Sequence, residues 1–367
     1  MKKIIVILVL IFLLALPVGA QDNYVTQYQN VGANKLEDGL DEQTRKFFDE
    51  NGIDAKDHSW VNRLTSSNVL SHIWQFVTKG AKAPFKTGVL VASIIFLSAA
   101  LTAFGTAPRF ETAIYAAVLS VSALVAGDIW QSVSAAVNAV KGTSSFMLSF
   151  VPIFASIVSL SGKAVTAPAM SALLLSAAET VSFVSSFAVL PLMGGYLALS
   201  ISSGVSPLLN SSGIVDSVKK ISMWIISLLS TLFIGILGIQ TAVNAAADSV
   251  TLRTAKFILG TSVPVAGGVL SEAVSTISAS MGLLRSSVGI YGVVALVFML
   301  LPMVVELVLW RFMLMLNISL GELFSLPKIT GILKAVDSML SVLLGVVLMV
   351  GGMFIISLSV VITAGKA

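Results

Sequence analysis

The sequence predicts an all-α fold: a polytopic helical membrane protein with a small N-terminal helical appendage. Three observations carry that expectation. Apolar residues make up 56% of the 367 residues and charged residues only 11%, against about a quarter charged in soluble chains. Uncharged stretches of about 20 residues, the length that crosses a bilayer, recur from residue 84 onward. The acidic residues are concentrated before that point, nine of the eighteen falling in residues 21–80. A larger core cannot absorb the apolar excess, because surface grows with chain length and must still be wetted. The remaining solvent is lipid.

The first 20 residues read as a cleavable signal peptide. Lys2 and Lys3 form the basic start, Ile4 to Leu16 the apolar run, and Pro17 the break. Val18 and Ala20 supply small residues at the cleavage site. The apolar run is short for a spanning helix, and residue 21 onward is expected outside the cytoplasm. Residues 21–82 then form an extracytoplasmic polar and amphipathic helical segment. Asp41 is placed to cap a helix over 41–50 that Asn51-Gly52 stops. Trp60, Leu64, Val69, Leu70, Ile73, Trp74 and Val77 recur at helical spacing. They predict a helix lying at the outer membrane interface or docked on a partner protein.

Residues 83–367 form the transmembrane domain. Spans are expected at roughly 86–105, 111–129, 181–203, 221–239, 288–310 and 338–360. Two further stretches, 146–175 and 257–284, are broken by Pro, Gly, Ser and single charges. They read as full crossings, broken helices or re-entrant hairpins, which gives six to eight crossings. Arg109 and Lys219-Lys220 are expected on the cytoplasmic side. Beyond residue 81 there are fourteen Lys/Arg against nine Asp/Glu, mostly near span ends. They are topology signals and not a nucleic-acid surface.

An internal duplication organises this domain. Phe187-Ala-Val-Leu-Pro191-Leu-Met matches Phe298-Met-Leu-Leu-Pro302-Met-Val, and Ser149-Phe-Val-Pro152-Ile matches Thr261-Ser-Val-Pro264-Val. Gln131 and Gln240 lead each copy, and Gly213-Ile-Val-Asp-Ser-Val218 echoes Gly331-Ile-Leu-Lys-Ala-Val336. The copies run over about 111–217 and 218–336, with a final span at 338–360. Proline-broken helices in duplicated halves are a construction shared with transporters and pores.

Enzymatic chemistry is not expected. There is no HExxH zinc pair, and the two histidines, His58 and His72, lie in the polar appendage. Gly162-Lys163 is followed by Ala164 and lacks the rest of a phosphate loop. Without cysteine there is neither a disulfide framework nor a thiolate metal site. No catalytic residue, metal site or cofactor is assigned.

The remaining candidates are ionisable groups in apolar surroundings: Glu179, Glu272, Arg285, Glu306 and Arg311. A charge at mid-membrane has to face a partner, the bundle interior or water. Glu306 lies four residues past Pro302. Arg311 lies five further on, about 140° round the helix, and is poorly placed to pair with it. The position matching Glu306 in the first copy is Gly195, which argues against paired ion sites. Glu306, Glu179, Arg311 and the prolines Pro152, Pro191, Pro264 and Pro302 are therefore the structural or pore-associated candidates. The Ser-, Ala- and Gly-rich stretches 178–203 and 260–287 predict close helix contact and self-association.

The chain resembles the stage III sporulation protein AE family of endospore-forming bacteria. The strings that carry the resemblance are Leu208-Leu-Asn-Ser-Ser-Gly-Ile-Val-Asp-Ser-Val-Lys-Lys-Ile221, Gly238-Ile-Gln-Thr-Ala-Val-Asn-Ala-Ala-Ala-Asp248, Ala255-Lys-Phe-Ile-Leu-Gly-Thr-Ser-Val-Pro-Val-Ala-Gly-Gly-Val269 and the stretch Phe312 to Gly321. The resemblance implies a subunit of the channel-like complex that joins mother cell and forespore, sited in the mother-cell membrane surrounding the forespore. Implied partners are membrane lipid, further copies of the chain, the other stage III A proteins and, across the intermembrane space, stage II sporulation protein Q. It implies no catalytic motif. A secondary transporter with its site between the repeats, or a non-conducting assembly scaffold, are the alternatives.

Overall fold

The computed structural model describes residues 28–29, 31–55, 60, 66–103, 108–205, 212–262 and 267–363. All regular structure among them is helical. After a 3-10 helix at Ala33–Gly39 come α1 (Glu42–Asn51), α2 (Ser66–Gly80), α3 (Lys82–Ala103), α4 (Pro108–Leu160) and α5 (Thr166–Val184). A π-turn at Ser185–Val189 joins α5 to α6 (Leu190–Val205), followed by α7 (Ser212–Ser262), α8 (Gly267–Leu323) and α9 (Pro327–Thr363). The signal-peptide region, His58 and Pro264 lie outside the described residues.

Among the described residues five helices are long and apolar enough to cross a membrane: Leu70–Ala103, Thr112–Leu160, Thr166–Leu199, Met281–Leu323 and Pro327–Ile362. The expected span 221–239 lies within α7, whose apolar stretch Ser230–Gln240 is shorter. The helices are longer than the sequence segmentation implied. Spans expected to end near 129 and to resume near 146 are parts of one 53-residue helix, α4. The intervening Ser- and Ala-rich residues contain no proline, and their hydroxyls bond back into the helix. Thr143 Oγ1 donates to the Ala139 carbonyl at 2.8 Å and Ser144 Oγ to the Val140 carbonyl at 3.0 Å. That pattern satisfies a polar side chain without breaking the backbone ladder.

Helix α8 is the hub, packing on α1, α2, α3, α4, α7 and α9. Its hairpin with α9 closes through a turn with Ser325 at φ 53°. The antiparallel register is visible at three contacts: Gly321 on Thr330, Leu300 on Gly351 and Gly289 on Ile362. Small residues make the close approaches possible. A Cβ on Gly292 would stand 2.5 Å from the Phe150 ring, and one on Gly289 2.5 Å from Ile362. Gly195, by contrast, faces open space.

Two core layers stack along α4, α8 and α9. One holds Phe146–Val158 of α4, Ala167–Ala178 of α5, Leu237, Met281–Met299 of α8 and Met353–Ile362 of α9. The other holds Val91 and Ile95, Val118–Val140 of α4, Met193–Leu197, Leu300–Leu314 and Leu326–Val347.

The N-terminal segment is built into the first layer. Asp41 caps α1, its carboxylate accepting from Thr44 N at 3.4 Å, and Gly52 ends it at φ 59°. Phe47 stacks on Phe298 with ring centroids 3.8 Å apart, and Phe48 meets Tyr291 edge-on at 5.0 Å. Trp60 is fully buried. Helix α2 packs on α8 and runs through a turn at Ala81 into α3. The docking partner of the appendage is therefore the chain's own bundle.

Candidate functional site: polar clasps between helices

Polar side chains in the interior of a long helix bond either back into the preceding turn or across helix contacts, where water does not compete. Among the described residues, the clasps between helices include the following. Ser132 Oγ donates to Glu306 Oε1 at 2.6 Å, joining α4 to α8. Arg311 Nε donates to Asp337 Oδ1 at 2.9 Å and its Nη2 reaches Oδ2 at 3.5 Å, joining α8 to α9. Thr87 Oγ1 donates to Asp128, joining α3 to α4. Asp248, buried on α7, accepts from Val165 N at 2.6 Å, from Thr166 N at 3.3 Å and from Thr166 Oγ1. It thereby caps the start of α5, satisfying N–H groups that the helix itself leaves free.

The sequence candidates sort against these contacts. Glu306 and Arg311 do not pair with each other, as their helical angle implied; each has its own partner. Glu179 is exposed on α5, with no hydrogen-bond or ion-pair partner among the described residues. Arg285 is 6% exposed on α8, and its Nη1 stands 3.5 Å from Ser161 Oγ. His72 faces Glu50 at 3.3 Å and lies edge-on to Phe47.

Pro152 and Pro302 lie inside α4 and α8, each removing a ladder N–H. Ser156 Oγ donates to the Pro152 carbonyl at 3.0 Å. Pro191 is the second residue of α6, one residue past the π-turn at Ser185–Val189, a wider turn that relieves the ring's clash with the preceding one.

Sequence reasoning missed Asp128, Asp248 and Asp337. Asp128 and Asp337 sit at expected span ends and Asp248 lies between two expected apolar stretches, so each reads as an ordinary boundary charge. The available signal was conformational, because Asp competes for backbone hydrogen bonds and is poor in a helix interior. No group of three or more His, Cys, Asp or Glu able to hold a metal occurs among the described residues.

Apolar helices of this length, fastened to one another by interhelical polar clasps, define a polytopic α-helical membrane protein. The family follows from the sequence match: the chain belongs to the stage III sporulation protein AE family, whose model matches residues 51–365. It is similar to the stage III sporulation protein AE of Bacillus subtilis (strain 168), at 27% identity over 235 residues. That match covers 64% of this chain and 59% of the relative, less than two thirds of the relative's length. No solved structure matches the chain.

Proposed function

We propose that this chain is a non-enzymatic, self-associating membrane subunit of the channel-like complex that joins mother cell and forespore during endospore formation. It sits in the mother-cell membrane surrounding the forespore, with its N-terminal segment outside the cytoplasm. There it assembles with the other stage III A proteins and, across the intermembrane space, with stage II sporulation protein Q. The observation that carries this reading is the family match over residues 51–365, which takes in almost the whole bundle.

The clasps support a fixed wall over a transport cycle. Glu306 is engaged by Ser132 and Arg311 by Asp337, so neither of the two charges nearest Pro302 stands open for a passing ion. A duplicated construction is supported by helix order. Long helices of 53 and 51 residues, α4 and α7, each lead into a second helical stretch that carries Pro191 or Pro302.

The test is purification of the tagged chain from cross-linked sporulating cells. Enrichment of stage III A proteins, together with a multiple of the mature chain's mass, is the expected result; a solitary monomer contradicts it. Reporter fusions after residues 60 and 110 should read outside and inside respectively, and the opposite pattern overturns the topology.

A further inference from the structure

Charge marks one depth of the bundle on three helices at once. On α8 the interval 286–305 carries no charged residue, and its 20 residues at a rise of 1.5 Å each cover about 30 Å, one hydrocarbon core. The uncharged intervals of α9 (338–363) and α7 (221–247) lie alongside it. Gly289 meets Ile362 and Gly351 meets Leu300, which sets α9 beside α8. Met223 meets Gly345 and Ser230 meets Met349, which sets α7 beside α9. Charges return together at both ends. Asp248 and Arg285 meet the α4–α5 turn at one end; Glu306 and the Arg311–Asp337 pair stand at the other.

The N-terminal segment docks halfway along this interval. Phe48 meets Tyr291 and Phe47 stacks on Phe298, while Gly39 meets Phe146 and Ser149 of α4. Residues 33–55 hold seven carboxylates and three cations, so the acids outnumber the bases that could neutralise them there. Asp38, Asp41, Glu42, Asp49 and Glu50 are exposed. The other side of the bundle differs at the same depth. Ile236 and Ile239 on α7 and Ile356 on α9 are exposed. Helix α7 packs on α5, α6, α8 and α9, whereas the segment packs on α4 and α8.

Three uniform surroundings fail on these residues. Lipid all round would put the acidic segment in hydrocarbon, where charges are costly unless they face a partner or water. A layer standing clear of the bilayer would set the isoleucines as an apolar surface in water. A dry contact between two such segments would bring like charges together.

We propose that at membrane depth the bundle is wet on one side and lipid-facing on the other: residues 33–55 line a water-filled vestibule, and the outer faces of α7 and α9 meet the acyl chains. Further copies of the chain close the vestibule off from lipid, a clause that rests on the self-association proposed above.

The full chain lacks cysteine, so Lys46→Cys, Ile236→Cys and Ile356→Cys variants each carry a single spin label. The labelled chains are reconstituted into phosphatidylglycerol–phosphatidylcholine vesicles. Power-saturation EPR then compares collisions with a water-soluble nickel chelate and with oxygen, which partitions into lipid. Labels on Ile236→Cys and Ile356→Cys are expected to favour oxygen, and the label on Lys46→Cys to favour the chelate several-fold more than either. Chelate-dominated collisions at all three positions overturn the proposal by placing this layer outside the bilayer. Oxygen-dominated collisions on Lys46→Cys overturn it by placing the segment in lipid. Adding Phe47→Ala should sharpen the Lys46→Cys spectrum as the segment undocks. An unchanged spectrum overturns the proposal, because the label then reports a segment that is not docked at this depth. A solitary monomer in the same vesicles, counted by single-molecule photobleaching, refutes the self-association reading, an outcome separate from the collision ratios.

Discussion

The docking of the N-terminal segment can be broken at one side chain. Phe47 is 2% exposed and stacks on Phe298 of α8, with Phe48 and His72 against neighbouring rings. Phe47→Ala removes a buried aromatic, which costs about 3–5 kcal/mol in a packed core. Part of that, about 0.5–1.5 kcal/mol, is the ring–ring term. The ring joins residues 33–55 to α8, so the loss weakens the docked state of that segment.

The assay uses the absence of native cysteine. An ideal Cβ on Gly39 lies 3.5 Å from Ser149 Cβ, within the range that a disulfide bridges. The Gly39→Cys/Ser149→Cys double variant should oxidise readily to an intramolecular disulfide in membranes. Adding Phe47→Ala should slow that reaction by about tenfold or more, since each 1.4 kcal/mol shifts the docked fraction tenfold once undocking is populated. Failure of the double variant to oxidise, or identical trapping with and without Phe47, would refute the docked arrangement.

Other consequences concern the bundle. Asp337→Ala leaves the partly buried Arg311 unpaired and should lower stability by about 1–3 kcal/mol, read as a lower unfolding temperature in detergent; Arg311→Met with Asp337→Leu should recover most of the loss. Gly292→Ala sets a methyl against Phe150 and should cost about 1–3 kcal/mol by overpacking, measured the same way. Lys46 is 75% exposed on α1, whereas Ile239 is 68% exposed on α7 two residues from Leu237 in the same core layer. A membrane-impermeant maleimide should therefore label Lys46→Cys in intact membranes and leave Ile239→Cys, on the lipid side, unreacted.

Helix type, the polar character of the N-terminal segment and the α1 boundaries were legible because they rest on local rules. Asp41 and Gly52 act at the ends where capping chemistry places them. Helix length was not legible. A run such as Ser132 to Ser145 looks like a break by hydropathy, yet it continues α4 because Ser and Thr hydroxyls are satisfied by the preceding turn. The clasps were half legible. Glu306 and Arg311 drew notice as charges in apolar sequence, but their partners Ser132 and Asp337 lie 174 and 26 residues away, and no local pattern records such pairings. The docking of Phe47 on Phe298 is likewise a long-range match of two aromatics, and amphipathicity alone left it open between interface, partner and self.

The central claim, that this bundle is a fixed subunit of the sporulation assembly, is tested most directly by heat-resistant spore counts. The strain lacks the native gene and carries, as its only copy, either the wild-type chain or Glu306→Gln. An amide at 306 still accepts from Ser132 and keeps the α4–α8 clasp while removing any titratable charge. The account predicts normal vegetative growth, loss of heat-resistant spores without the gene, and near wild-type counts with Glu306→Gln. Normal spores without the gene would contradict membership in the assembly, and loss of spores with an inserted, assembled Glu306→Gln chain would show that the carboxylate works as an ion or proton site.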